Sequence, residues 1–286
     1  MKKILLIGVP NDRVLSSFAS FLKKHNHDMF FINLNLLGDE VFFEDDSFIL
    51  HDERIDYSTI CGVYNRLVSI EPHVNHADAT IYYKQLELLN YLLDHTLDNV
   101  INTPSSASSN NSKPYQLSRA KKIGFNVPAS TMLANTICPN FNQSTIYKSV
   151  GGIRSIVTET VNNDINKEIS CPVLFQERVV GANIRVHLVD DHIFALKITS
   201  KDVDYRYTES PNKYLTIQLP DEISLKCKTL KNDFGLRFTG MDFMLTSDNE
   251  YYFLEANTSP AFTHFEEYME NKTLSAALAA ALSGAH

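Results

Sequence analysis

Two periodicities of hydrophobic residues divide the first third of the chain into strands and helices. Short apolar runs at residues 4–9, 28–34 and 56–64 predict strands. Between and after them, residues 14–25 and 77–97 carry apolar side chains at helical spacing. Strands that alternate with helices favour a parallel sheet, so residues 1–103 are predicted to form an N-terminal α/β lobe.

The rest of the chain changes from mixed to mainly extended patterns. Residues 102–114 are rich in Ser, Asn and Pro, which is typical of a linker or mobile connection. A predicted helix at 115–123 ends at Gly124, a residue suited to a left-handed cap. Predicted strands follow at residues 127–133, 145–148, 173–178, 184–189 and 192–200, and a last helix at 274–282. We therefore predict a central lobe at 104–175 and a C-terminal lobe at 176–286.

The most informative segment is a predicted β-hairpin. Alternating apolar runs at 241–245 and 251–256 flank a polar loop. Glu255 and Asn257 point the same way along their strand, and Asp242 can face them from the partner strand. Two carboxylates and an amide oxygen form a hard-oxygen cluster suited to Mg²⁺. The alternative is solvated surface, although the apolar run before Glu255 would give an exposed face unusual hydrophobic support.

Two lysines are candidates for binding phosphate groups. Lys148 ends a predicted strand before Gly151 and Gly152, where loop amides and the lysine could approach the same phosphate. Lys113 precedes the helix at 115–123, and helix N-termini favour anions. Each lysine alone is also compatible with an ordinary surface position.

An apolar strand leads into Gln176, Glu177, Arg178 and Val179. An edge strand there could offer backbone groups to an adenine ring, with Glu177 accepting a hydrogen bond from its amino group. A solvent-facing polar pair is the alternative.

Three cations lie within or just after predicted strands: Arg185, Lys197 and Arg206. Strand alternation can aim Arg185 and Lys197 at one face. Because buried cations are costly without an anion, metal carboxylates or phosphates are natural partners, and salt bridges within the sheet are the alternative.

Composition excludes several classes of function. The net charge is −8 with a pI of about 5.7, which provides no general attraction for nucleic acid. No apolar run approaches the roughly 18 residues of a membrane span, and the run at 4–9 is short for a signal peptide. The four cysteines share no metal-ligand spacing, which argues against structural zinc and indicates reduced thiols in the cytoplasm. The residues after the first strand, Gly8-Val9-Pro10-Asn11, match neither the G-x-G-x-x-G pattern nor a Walker A sequence. The N-terminal lobe is therefore not predicted to be an ordinary dinucleotide-binding domain.

The order of these pieces resembles the ATP-grasp superfamily over essentially the whole chain. The segments that carry the resemblance are Lys113, GFNVPAST at 124–131, Lys148 before the glycine pair, QERV at 176–179, GANIR at 181–185, and the triplet Asp242, Glu255 and Asn257. The resemblance implies an N-terminal parallel-sheet α/β lobe followed by two α+β lobes that clamp ATP.

Within the superfamily the chain is most similar to ligases that modify peptides, including the microviridin type and those that add glutamate to ribosomal protein tails. The similar segments are SKPYQL at 112–117, ITS at 198–200, DYR at 204–206, and Asn65 with Arg66. Two positions differ from the pattern. Asn257 is followed by Thr, Ser and Pro, and Asn183 stands where relatives often carry an acidic residue.

The resemblance implies an ATP-dependent ligase that joins a carboxylate to an amine or an alcohol through an acyl phosphate, with ADP and phosphate as products. ATP and one or two Mg²⁺ ions, which Mn²⁺ could replace, are the implied cofactors. A peptide or protein acceptor, such as a precursor peptide, and a homodimer are the implied partners. The implied catalytic residues are Arg185, Lys197 and Arg206; the nucleotide-binding residues are Lys113, Lys148, Gly151, Gly152, Gln176, Glu177, Arg178, Val179 and Asn183; and the metal ligands are Asp242, Glu255 and Asn257.

Two other functions stay open at this point. One is a ligase for small metabolites such as amino acids or dipeptides. The other is a module that binds ATP as a sensor without ligation.

Overall fold

A computed structural model describes residues 2–67, 79–138, 144–151, 158–159, 168–199, 213–269 and 273–284. Contacts between residues group the chain into two units. Unit 1 contains residues 1–107, 235–238 and 259–286, and unit 2 contains residues 108–234 and 239–258. The lobe boundaries predicted after residues 103 and 175 stay predictions.

The first part of unit 1 is built on a parallel sheet. Its elements are β1 (Lys3–Gly8), α1 (Arg13–Lys24), β2 (Met29–Asn33), β3 (Val41–Phe43), β4 (Ser47–Leu50), β5 (Glu53–Asp56), β6 (Ile60–Asn65), α2 (Ala79–His95), β7 (Val100–Ile101) and α3 (Pro104–Ala107). The strand order β2-β1-β6-β7, parallel throughout, confirms the predicted α/β architecture.

A small antiparallel sheet interrupts this alternation. It consists of β3, β4 and β5, and the hydrophobic pattern did not predict it. The single strand predicted at 56–64 is wrong, because β5 and β6 are separated by a 3₁₀ turn at Tyr57–Thr59. The Asp56 carboxylate accepts a hydrogen bond from Ser58 N at 2.7 Å, which stabilises the turn and ends the strand.

The segment predicted as a linker is also ordered. It forms α3 and a 3₁₀ turn at Ser108–Asn111. At its start the buried Asn102 side chain donates to Phe238 O at 2.6 Å and accepts from Phe238 N at 3.1 Å. Composition alone was misleading here, because Ser and Asn also favour helix starts and turns.

Unit 2 contains two main antiparallel sheets. Its elements are α4 (Lys113–Ile123), β8 (Ser130–Leu133), β9 (Thr136–Ile137), β10 (Thr145–Ser149), β11 (Thr158–Glu159), β12 (Glu168–Ile169), β13 (Val173–Glu177), β14 (Ala182–Val189), β15 (His192–Thr199), β16 (Lys213–Ile217), α5 (Asp221–Asp233), β17 (Phe238–Leu245) and β18 (Tyr251–Asn257). One sheet has the order β11-β10-β13-β8 and the other β16-β15-β14-β17-β18, while β9 pairs with β12. The sequence pattern missed β16 and α5.

Local sequence determines both ends of α4. Ser112 is the N-cap, and its hydroxyl accepts from Tyr115 N at 3.3 Å. Gly124 has φ of 97°, the left-handed conformation predicted for the C-cap. Lys113 is therefore the first helical residue, and the helix begins two residues before the predicted start at 115.

The chain returns to unit 1 through α6 (Thr263–Glu266) and α7 (Thr273–Ser283). Helix α7 packs on β6 and β1, with Leu274, Leu278 and Leu282 fully buried. A Cβ atom at Gly62 would lie 2.2 Å from Leu282 O, so glycine permits this close approach. Within the described part of the chain, no helix is both long and apolar enough to cross a membrane.

A buried ion pair joins the segments that follow β1 and β6 in unit 1. Arg66 follows β6, and its Nε donates to Asp12 Oδ2 at 2.7 Å. The other carboxylate oxygen of Asp12 caps α1 by accepting from Val14 N and Leu15 N. Arg66 also donates to Pro260 O at 3.3 Å. The N-terminus of α1 is thus closed by a carboxylate, which agrees with the lack of a phosphate loop after β1.

This arrangement predicts the effect of changing Asp12. In Asp12→Asn the helix cap is retained but Arg66 loses its charged partner, so the free energy of unfolding should fall by about 3–5 kcal/mol. Asp12→Ala should cost about 1 kcal/mol more, because the cap is lost as well. Urea denaturation measures both effects. The control is Asp56→Asn on an exposed turn, which should cost less than about 0.5 kcal/mol; equal losses for the two Asn variants would contradict the prediction.

Candidate functional site

The β17–β18 hairpin brings the predicted metal ligands to one face of the five-stranded sheet. Asp242 pairs directly with Glu255, and Gly240 pairs with Asn257. Paired residues share a face, as do residues two apart, so the three polar side chains lie on the same side. The predicted hairpin is confirmed.

A β-bulge makes this arrangement possible. Phe243 pairs with Phe253 while Asp242 pairs with Glu255, so Leu254 has no residue opposite it. Strict alternation would place Phe253 and Glu255 on the same face. The bulge separates them: Phe253 is fully buried, whereas the Glu255 side chain is 29% exposed. The bulge was not predicted, although the four consecutive apolar residues before Glu255 break the strict alternation of a strand.

Glu255 lies beside the N-terminus of α4. Lys113 Nζ is 3.8 Å from Glu255 Oε2 and donates to Gly151 O at 2.6 Å. The backbone of the same lysine donates to Val150 O at 2.9 Å. Lys113 therefore connects the hairpin to the glycine turn after β10, and two elements predicted to bind a nucleotide are adjacent.

Asp242 is paired with a cation on the neighbouring strand. Arg185 on β14 donates from Nη1 to Asp242 Oδ2 at 2.6 Å, and its side chain is only 7% exposed. Its Nε donates to His187 Nε2 at 3.3 Å. Burial, together with the positive charge of Arg185, holds the pKa of His187 well below its usual value of 6.5. His187 is thus a neutral acceptor that helps to orient Arg185, a contact the sequence analysis did not predict.

Lys148 and the predicted adenine-binding segment lie on the other large sheet. Lys148 is buried on β10 opposite Leu174. β13 lies between β10 and β8, so the prediction of an edge strand ending at Gln176 and Glu177 is wrong. Its continuous apolar run is explained by this interior position.

Two backbone N–H groups at the end of β13 already donate hydrogen bonds within the protein. Glu177 N donates to Ala129 O at 2.8 Å, and Arg178 N donates to Ser144 O at 3.0 Å. Gln176 is buried and donates to Ser130 Oγ at 3.0 Å, while its Oε1 atom has no hydrogen-bond partner among the residues that the structure describes. A buried acceptor of this kind is available to a ligand donor. Val179 follows outside the strand.

The remaining predicted residues are distributed differently. Asn183 is two residues before Arg185 on β14 and shares its face. Lys197 pairs with Ile184, whereas Arg185 pairs with Leu196. Lys197 and Arg185 therefore lie on opposite faces, and the prediction that they share one is wrong. Gly152 and Arg206 lie outside the described residues.

The donor set fits a magnesium ion. Two carboxylates and an amide oxygen share one face, and Mg²⁺ prefers oxygen ligands while leaving other positions to water and phosphate. Among the described residues, no group of three or more His, Cys, Asp or Glu could hold a metal. The third protein ligand would thus be the amide oxygen of Asn257.

Comparison with solved structures shows which fold the chain has. PsnB, an ATP-grasp ligase in complex with a phosphomimetic variant of its minimal precursor, Mg and ADP, has a TM-score of 0.79 at 24% identity, covering 98% of this chain and 99% of its own. The macrocyclase MdnC from Microcystis aeruginosa MRC, bound with precursor peptide MdnA, has a TM-score of 0.81 at 18% identity, covering 99% and 100%. A RiPP-associated ATP-grasp ligase from Chryseobacterium gregarium, in complex with ADP and a leader and core peptide, has a TM-score of 0.77 at 21% identity, covering 100% and 98%. The chain has the ATP-grasp fold, as predicted.

A family model identifies the domain more closely. Residues 145–281 match the RimK-like ATP-grasp domain. A comparison with curated proteins found no match. Residues 145–281 are thus similar to the RimK-like ATP-grasp domain, in agreement with the predicted resemblance.

The His187 environment predicts a pH dependence of stability. The unfolded chain binds a proton at His187 near its usual pKa of 6.5, whereas the folded protein does not until the pH is much lower. The contribution of neutral His187 to the free energy of unfolding is therefore complete above the unfolded pKa of 6.5. It is lost as the pH falls below 6.5, at up to about 1.4 kcal/mol per pH unit. His187→Gln keeps a neutral acceptor and should flatten this dependence.

Urea denaturation at several pH values between about 5 and 7 measures this slope. The matched control is His192→Gln on the exposed start of β15, which should keep the slope of the unaltered protein. An unchanged slope in His187→Gln would rule out the assignment.

Proposed function

We propose that this protein is an ATP-dependent ligase that activates a carboxylate as an acyl phosphate and joins it to an amine or an alcohol, on a peptide or protein substrate. The observation that carries the proposal is the bulged hairpin, which sets Asp242 opposite Glu255 with Asn257 on the same face. Lys113 and Arg185 supply positive charge directly beside these carboxylates. The RimK-like domain and the ATP-grasp fold support the same class of reaction.

In this proposal Asp242, Glu255 and Asn257 hold one or two Mg²⁺ ions, which Mn²⁺ could replace. When bound, the metal neutralises phosphate charge during phosphoryl transfer. Before the metal binds, Lys113 and Arg185 offset the charges of Glu255 and Asp242, so the two carboxylates can lie side by side on the hairpin.

The cations have separate proposed tasks. Lys113 and Lys148 bind phosphate oxygens of ATP, together with the turn at Gly151 and Gly152. Arg185 stabilises charge on the transferring phosphoryl group and on the acyl phosphate. Arg206 is the other proposed catalytic cation; Lys197, which was predicted to share this task, is left out because it lies on the face of the sheet opposite Arg185.

The adenine ring is proposed to bind beside the end of β13. The Oε1 atom of Gln176, which accepts no hydrogen bond within the described part of the chain, suits a donor such as an exocyclic amine. Glu177, Arg178 and Val179 contribute the adjoining backbone. Asn183, near the start of the strand that carries Arg185, is the remaining proposed nucleotide-binding residue.

A peptide substrate is favoured over a free amino acid or dipeptide. The structural relatives PsnB and MdnC were solved with precursor peptides, and each aligns with this chain over nearly its whole length. A precursor peptide is accordingly the proposed partner. A cytoplasmic location, a homodimer and the lack of nucleic-acid binding stay predictions of the sequence.

The metal ligands provide the first test. Glu255→Gln removes a negative ligand with little change in shape. It should lower Mg²⁺-dependent ADP release by roughly 100-fold or more, since loss of even an outer-shell partner costs about 10- to 100-fold. The control is Glu250→Gln, the same change on the exposed loop of the hairpin, which should retain activity. A sensor that binds ATP without ligation would be indicated if Glu255→Gln left function in cells intact while ATP binding persisted.

The substrate class requires a second test. ADP release should increase with peptides that carry Asp or Glu side chains and an amine or hydroxyl, and remain at background with free amino acids and dipeptides. Mass spectrometry should then show loss of one water per bond formed. Stimulation by amino acids alone would favour the small-metabolite ligase instead.

A further inference from the structure

Gln116 makes an unusual set of contacts beneath the proposed metal site. It lies on α4, is 1% exposed, and directs its side-chain amide at the backbone of β18. Its Nε2 donates to Ala256 O at 2.7 Å, and its Oε1 accepts from Ala256 N at 2.9 Å. Nε2 also donates to Ser109 O at 3.2 Å. The amide is thus used as a donor and as an acceptor, entirely by main-chain groups.

This pairing reproduces the contacts of a neighbouring strand. The N–H and C=O groups of one strand residue point to the same side, and in a hydrogen-bonded pair both are exchanged with one partner. Among the described strands, β18 is the outer strand of its sheet, and an isolated bridge joins its Tyr252 to Asn126. Gln116 therefore satisfies the outward-facing groups of Ala256, which a buried edge would otherwise leave unpaired.

Ala256 lies between two of the proposed metal ligands. Glu255 precedes it and Asn257 follows it, and both point to the face opposite the Ala256 side chain. The bulge at Leu254 interrupts the β17 side of the strand immediately before this point. With the ladder weakened there, the contact from Gln116 holds the backbone that sets the directions of Glu255 and Asn257.

The same helix also carries Lys113, one turn before Gln116. Its Nζ approaches Glu255 Oε2 at 3.8 Å. α4 thus fixes β18 through Gln116 and approaches a proposed metal ligand through Lys113. Because the side-chain amide of Gln116 bonds to main-chain groups, its contact with β18 does not depend on the identity of neighbouring side chains, which suits a supporting role.

We infer that Gln116 is a positioning residue for the metal site: by clamping Ala256, it sets the separation of the Glu255 and Asn257 oxygens and hence the affinity for the divalent ion. This inference rests on the proposed metal site. Outer-shell groups that orient ligands typically affect metal affinity by about 10- to 100-fold.

The test uses the full chain and Mn²⁺ as the probe. Electron paramagnetic resonance of free Mn²⁺, at saturating ADP, gives the dissociation constant of bound Mn²⁺. Gln116→Met keeps the length of the side chain but removes its hydrogen bonds, and should weaken Mn²⁺ binding by about 10-fold or more. ADP binding without metal, measured by equilibrium dialysis, should change by less than about twofold, because the side-chain hydrogen bonds of Gln116 to described residues go to Ser109 and Ala256 and not to a proposed nucleotide-binding residue.

The matched control is Gln85→Met. Gln85 lies in unit 1 on α2, and its Oε1 accepts from Phe43 N at 2.6 Å, so the same substitution also breaks a bond to a strand backbone. It should reduce stability while leaving Mn²⁺ affinity within about twofold of the unaltered protein. Gln116→Asn, which is too short to pair with Ala256, serves as the milder variant and should act in the same direction as Gln116→Met.

Each outcome decides a different point. Normal Mn²⁺ affinity in a folded Gln116 variant would overturn the inference, as would an equal loss of metal-free ADP binding. If the unaltered protein binds no Mn²⁺ with ADP, the proposed function itself fails. Should neither variant fold, hydrogen exchange in the unaltered protein decides: the Ala256 amide must be as protected as the paired amides of β17, and rapid exchange would contradict the clamp.

Discussion

The architecture of unit 2 depends on the repulsion between Asp242 and Glu255. Like charges directly opposite each other destabilise a sheet, and these carboxylates are a direct pair that is mostly buried. Two cations from different elements offset the repulsion: Arg185 from β14 and Lys113 from α4. Because partly buried charges require partners, the positions of that strand and that helix are tied to the hairpin.

The groups that contact the two carboxylates and their strand are themselves held by further hydrogen bonds. His187 is kept neutral by burial and accepts a hydrogen bond from Arg185, so the guanidinium is oriented before any ligand arrives. Gln116 performs a similar task for the strand that carries Glu255. The site is therefore held by groups that themselves have fixed partners, which is the usual requirement for accurate placement of charge during catalysis.

Several features that depend on neighbouring residues could be predicted from the sequence, although α5 and the β3–β5 sheet were missed, whereas features that depend on strand order and register could not. The parallel sheet, the hairpin and the Gly124 cap follow from local patterns of hydrophobicity and turn residues. The interior position of β13, the separation of Lys197 from Arg185 and the contact of Gln116 with Ala256 depend on strand order and register. The bulge at Leu254 lies between these cases, because the consecutive apolar residues were visible but their consequence for Glu255 required the partner strand.

The discontinuity of unit 1 has a consequence for synthesis of the chain. Its sheet is complete by β7, yet the helix that covers β6 and β1 lies at residues 273–283. Asn99 donates to Ala281 O and Leu282 O, so even the loop before β7 needs the last helix. On the ribosome, the apolar surface of β6 must remain uncovered while all of unit 2 is translated. Exposed apolar surface of this kind promotes aggregation, so the N-terminal region is most prone to it before the last helix has been made.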